Sequence, residues 1–116
     1  MAYYEDLTID QGSDVAISFE LTDPDGGPKN LTGYSVASKM KRTYNSSDSD
    51  AVSFTSIVAS PSTDGIITLS LTNTQTDSLV PGRYVYDMEI SFVDSDANTI
   101  IERIVEGQVK VTPSVT

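Results

Sequence analysis

The chain of 116 residues contains no cysteine, no histidine and no tryptophan. Without cysteine there can be neither a disulfide frame nor a thiolate metal site. Without histidine, the usual general base at neutral pH and the commonest zinc ligand are both missing. Positive charge is scarce too: 7 Lys and Arg against 17 Asp and Glu leave a formal charge of -10. Such a surface repels phosphate backbones and anionic lipid, so no nucleic-acid partner and no membrane partner is expected. No apolar run approaches a membrane span, and the opening Met-Ala-Tyr-Tyr-Glu-Asp lacks the basic and apolar parts of a signal peptide. The expectation is a protein that stays where it is made, as one domain with a single core.

What the chain does have is alternation. From Gly82 to Phe92, the residues Tyr84, Tyr86, Met88, Ile90 and Phe92 occupy every second position, with Val85, Asp87, Glu89 and Ser91 between them. Only a strand sorts those two sets onto opposite faces. Pro81 and Gly82 stop any preceding helix and let the backbone turn into the strand. Similar alternation predicts strands over Leu7–Asp10, Val15–Leu21, Leu31–Arg42, Ile67–Leu71 and Thr99–Thr112, the last with a bulge at Gly107. Ala51–Ser60 alternates poorly and reads as an edge strand with a bulge or a shift of sheet. Asn73–Leu79 can form one helical turn capped by Asn73 or Thr74.

About seven strands separated by turn clusters, with no segment of helical period, predict an all-β fold: an immunoglobulin-like antiparallel β-sandwich with Greek-key connections. A small barrel shares the signature. Residues 1–5 read as an N-terminal arm, residues 6–112 as the sandwich and residues 113–116 as a C-terminal tail. Thr43–Asp50 has almost nothing to bury and reads as a mobile loop. Gly82-Arg83-Tyr84-Val85-Tyr86 resembles the tyrosine corner of immunoglobulin-like domains, with Tyr86 where the second core cysteine would stand. Tyr84 and Tyr86 are therefore the fold-organising residues.

Candidate chemistry is thin. Asp94, Asp96 and Asn98 have the opening spacing of a calcium loop, but its glycine and closing glutamate positions hold Thr99 and Val105, so a solvated hairpin is the better reading. Asp23 and Asp25 could supply ligands only with help from another domain. Glu102 with Glu106, and Asp87 with Glu89, fall on solvent-facing strand positions without an apolar pocket to shift a pKa. No catalytic residue, no metal site and no cofactor is assigned, and the chain is expected not to be an enzyme. Lys39, Lys41 and Arg42 gather three of the seven basic residues on one strand end, as a patch for an acidic neighbour or as a solvated face in loose ion pairs. Tyr3, Tyr4 and Tyr44 complete the candidate partner contacts as exposed aromatics.

Four stretches together carry a resemblance: Ile9 to Leu21, Asp25 to Tyr34, Leu69 to Glu89, and Glu106 to Lys110. They resemble the small immunoglobulin-like domains of tailed-bacteriophage virion proteins, including N-terminal domains of siphophage upper-baseplate proteins and short structural proteins of marine phages. The resemblance implies a non-enzymatic building block of a tail, baseplate, neck or capsid surface. It would be present in several copies, contact other virion proteins, and be assembled in the host cytoplasm, which requires no export signal. A carbohydrate-binding or adhesive module, with a host-surface glycan as its partner, is the alternative.

Overall fold

The computed structural model describes residues 3–47 and 51–115. Within them the strands are β1 (Tyr3–Tyr4), β2 (Leu7–Asp10), β3 (Val15–Glu20), β4 (Ser35–Lys41), β5 (Val52–Ser53), β6 (Thr55–Val58), β7 (Ile66–Leu71), β8 (Gly82–Val93) and β9 (Thr99–Thr112). Seven of these have four or more residues, as the alternation predicted. They form two sheets. The larger runs β1-β9-β8-β4-β5 with β2 also on β9, and the smaller runs β3-β7-β6. A single helical turn, α1 (Asn73–Asp77), links β7 to β8.

The alternating apolar residues meet between the sheets. Phe19, Ile67, Leu69 and Leu71 of the small sheet face Met40, Tyr84, Tyr86, Met88, Ile90, Val105, Val109 and Val111 of the large one, all buried. Leu7 and Ile9 close one flank. β8 is the longest element buried along a whole face, and at about 3.3 Å per residue it runs roughly 40 Å along a molecule 49 Å in its longest dimension.

Ser38 is the one polar residue on the inward face of β4, and its hydroxyl donates to the Asp87 carbonyl at 2.6 Å, which removes the cost of burying it. The Ala51–Ser60 segment resolves as a shift of sheet: Val52 pairs with Met40, Ile57 pairs with Thr68, and buried Phe54 lies at the crossing.

Three local expectations are corrected. The cap of α1 is Thr72, not Asn73 or Thr74. Its hydroxyl accepts from Gln75 N-H at 3.2 Å, and the Gln75 side chain accepts from Thr72 N-H at 2.8 Å. The bulge lies at Ile104, not Gly107, because the register steps from Met88 opposite Val105 to Glu89 opposite Arg103. Gly107 pairs regularly with Tyr86 and serves a different need. A Cβ there would overlap the Glu5 carbonyl oxygen and lie 2.8 Å from its carbon.

The third correction concerns the arm. Tyr3 and Tyr4 pair in parallel with Val105 and Glu106, and Glu5 N-H donates to the Glu106 carbonyl at 2.9 Å. The Glu5 carbonyl in turn accepts from the buried Tyr86 hydroxyl at 2.5 Å. Tyr3 and Tyr4 therefore form a strand of the sheet with Glu5 bonded to its edge, while residues 1 and 2 lie outside the described ones. Deleting residues 1–5 removes the Glu5 acceptor of the Tyr86 hydroxyl and the pairing of β1 with β9, and is expected to cost about 1–3 kcal/mol, read as a fall of several degrees in Tm. A truncated protein that melts with the full chain would contradict the role given to Glu5.

Candidate functional site: the outer face of the large sheet

The face of the large sheet turned away from the core carries most of the sequence-predicted contact residues. Its organising feature is a row of side chains running across the strands, set by register alone. Tyr4 on β1 stands beside Glu106 on β9, Glu106 opposite Asp87 on β8, Asp87 opposite Lys39 on β4, and Lys39 opposite Ser53 on β5. Neighbours in such a row are close enough to interact on one face. Arg103, one residue before the bulge, bridges Asp87 at 3.2 Å and Glu106 at 3.6 Å. These groups are half exposed, so the bridges order the surface more than they stabilise the fold. Lys39, Lys41, Tyr44, Val85, Glu89 and Arg103 contribute to a shallow concavity of about 450 Å³ on this face.

The aromatics sit at its rim. Tyr44 is 74% exposed and Tyr4 57%. The Tyr4 phenol is held above its ordinary pKa, first by partial desolvation against the sheet edge and then by Asp6, Tyr44 and Glu106 nearby. Tyr44 and Glu106 both line the concavity. Thr43–Ser46 folds as a turn, with Ser46 N-H donating to the Thr43 carbonyl at 3.1 Å, and this presents Tyr44 outward. The rest of the predicted loop, residues 48–50, lies outside the described ones.

The predicted basic trio does not act as one patch. Lys39 and Lys41 join the outer face, but Arg42 turns to the corner, its guanidinium 4.9 Å above the Tyr84 ring. That corner is built as the motif predicted: the Tyr84 hydroxyl donates to the Val80 carbonyl at 2.8 Å, four residues back. Tyr86 fills the cysteine position with its ring, which meets Phe54 edge-on at 6.4 Å. The side chain of Tyr3 is not among the described parts, and its backbone pairs with Val105.

The rejected metal and carboxylate candidates have structural partners. Asp94 Oδ1 accepts from the amides of Asp96 and Asn98, both at 2.9 Å, and Ala97 adopts φ 64°, so the turn folds on its own carboxylate. Asp25 accepts from Gly27 N-H at 3.0 Å, and Asp23 lies 3.9 Å from Lys29. The bulge sends Glu102 toward the flank between the sheets, beside Ile104, and Glu106 to the outer face. The sequence reading named Glu106, Asp87 and Glu89 only as carboxylates and passed over Arg103. Their convergence depends on strand register and on the bulge, neither of which periodicity reveals.

No protein-family model and no curated protein matches the chain. Among solved structures, murine CRIg superposes with a TM-score of 0.51 at 18% identity, over 93% of this chain and 92% of that one. The chain folds as an immunoglobulin-like domain. At that identity the likeness concerns the fold alone, and it agrees with the strand order and the Tyr84 corner. AggA, the major subunit of aggregative adherence fimbriae type I from Escherichia coli, aligns at 10% identity and TM-score 0.42 over 92% of this immunoglobulin-like chain and 89% of that one. An internalin-like protein of Listeria monocytogenes aligns at 19% and 0.43, over 96% of this chain and 28% of that one. Scores at that level decide nothing further.

Proposed function

We propose that this immunoglobulin-like domain is a non-enzymatic docking module, and more specifically a structural component of a tailed-bacteriophage virion. The observation that carries the docking role is the row Tyr4, Glu106, Asp87, Lys39 with Arg103 across it: alternating charge of both signs, rimmed by two exposed tyrosines, on a broad strand-built face. Such a face offers a partner complementary charges and aromatic anchors, which set orientation and selectivity. A chain without histidine or cysteine, whose Asp87 and Glu106 carboxylates are taken up by Arg103, has little with which to do chemistry. The virion assignment draws its support from the four stretches that resemble phage structural domains. Its partners are then other virion proteins, several copies enter each particle, and assembly takes place in the host cytoplasm without a cofactor.

The test is incorporation. Purified particles should contain the chain, and Lys39→Gln with Lys41→Gln should lower its occupancy several-fold while leaving the chain folded, because both side chains stand on the outer face. Full occupancy of the double variant, or absence of the wild-type chain from particles, overturns the reading.

One observation favours a second reading, a carbohydrate-binding or adhesive module. Tyr4 and Tyr44 are both exposed aromatics on the side of the large sheet turned from the core, and exposed rings are what a sugar stacks on. A glycan array probed with the isolated domain decides it: binding lost in Tyr44→Ala supports it, and a blank array removes it.

A further inference from the structure

β9 is edged by β1 and β2 only from Val105 onward, and among the described residues no strand covers Thr99–Ile104 on the side away from β8. The orientation of the backbone groups on that bare stretch follows from the ladder. The Asp87 carbonyl bonds to Ser38 on β4, so the odd residues of β8 direct their groups to β4 and the even ones to β9. The Asp94 N-H bond to the Asn98 carbonyl at the hairpin loop keeps the same phase. Glu102 and Ile100, opposite Ile90 and Phe92, are therefore bonded to β8, whereas Thr99, Ile101 and Arg103 turn their N-H and C=O groups outward. Ile101 is 60% exposed, and Val93, diagonal to it, is 66% exposed. This is an unprotected apolar edge, of the kind that recruits another strand.

We propose that the Thr99–Arg103 edge pairs antiparallel with the same edge of a second copy of this chain, Ile101 facing Ile101 across a two-fold axis. Two conditions select this occupant and register. An antiparallel two-fold pairing in one continuous sheet sets residues of the same face opposite each other, and hydrogen bonding requires that outward-directed residues oppose one another, which holds for a centre at any single residue of the stretch. Centring on Arg103 or Glu102 would oppose two like charges, and centring on Thr99 or Ile100 would leave Glu102 and Arg103 opposite the hairpin loop. Centring on Ile101 puts Thr99 opposite Arg103 and Ile100 opposite Glu102, so no like charges meet, and Val93 of each copy flanks the central pair. The edge is self-complementary in its backbone hydrogen-bonding groups and in its exposed apolar residues. It lies apart from the Lys39 and Lys41 end of the outer face, so it does not depend on the docking role of that face.

Each copy carries a charge of -10, so pairing strengthens with salt and with protein concentration. In sedimentation velocity at about 0.3 M salt, the full chain should shift from monomer to dimer as its concentration rises toward about 1 mM. Ile101→Lys sets two like charges face to face and should weaken the dimer at least about tenfold with Tm unchanged, since Ile101 is exposed in the monomer. The register has its own test, because no native cysteine competes. Ile100 and Glu102 stand opposite each other as a non-hydrogen-bonded pair, the closer kind. Ile100→Cys and Glu102→Cys chains should form a disulfide-linked dimer when mixed and oxidised, and neither should do so alone. A chain that remains monomeric at about 1 mM, an Ile101→Lys variant that dimerises as well as wild type, or cross-links in the single variants overturns the proposal.

Discussion

Gly107→Ala is expected to destabilise the protein by about 3 kcal/mol, seen as a fall in Tm of roughly 10 °C. The added methyl would overlap the Glu5 carbonyl oxygen, lie 2.8 Å from the Glu5 carbon and come within 3.2 Å of the Tyr86 ring. Main-chain atoms held in a sheet cannot swing aside as a lysine tip can. The least costly response is for β1 to leave β9, with loss of the bond from Glu5 N-H to Glu106 and of the Tyr86 hydroxyl's acceptor. The mechanism has a specific signature in a double-mutant cycle, since two changes acting on the same contact do not add. Once residues 1–5 are deleted, the alanine should cost little. An equal penalty in both backgrounds would place the strain elsewhere.

Tyr84 is the second position at which a large effect is expected. Its ring is buried beneath Arg42 and its hydroxyl donates to the Val80 carbonyl at 2.8 Å. Tyr84→Ala empties the corner and should cost about 3–5 kcal/mol, whereas Tyr84→Phe keeps the packing, removes only the hydrogen bond and should cost about 1–2 kcal/mol. Urea midpoints of the two variants separate the terms, provided the slope m stays constant. A Tyr84→Phe protein as stable as wild type would mean that water replaces the phenol at Val80 and that the corner is held by packing alone.

The loop and edge features follow the same physics at lower stakes. Thr76 is fully buried, yet its hydroxyl accepts from Gly12 N-H at 3.0 Å and donates to the Ser13 carbonyl at 2.8 Å, which fastens α1 to the turn between β2 and β3. Gln11 adds a bond from its amide to the Leu79 carbonyl at 2.9 Å. These polar links hold the end of the sandwich from which β8 departs, so that Tyr84 enters the core at a defined point. A sequence reading sees Thr76 only as part of a helical turn and Gln11 only as a turn residue, because their partners are more than sixty positions away.

The sequence by itself determined the strands and which face of each turns inward. Inward and outward residues alternate so regularly in β3, β4, β7 and β8 that no other backbone could bury the one set and wet the other, and the Gly82-to-Tyr86 motif located the corner to the residue. Tertiary structure alone decided what meets what. Whether residues 3–5 hang free or enter the sheet, where the bulge shifts the face of Glu102 relative to Glu106, and why Arg42 leaves Lys39 and Lys41 for Tyr84 all depend on contacts between segments distant in the chain. Periodicity is a property of neighbours along the backbone and reports which side of a strand a residue takes. Register is a property of pairs of strands, set by the packing of the whole core, and the row from Tyr4 to Lys39 exists only once that packing has aligned β1, β9, β8 and β4.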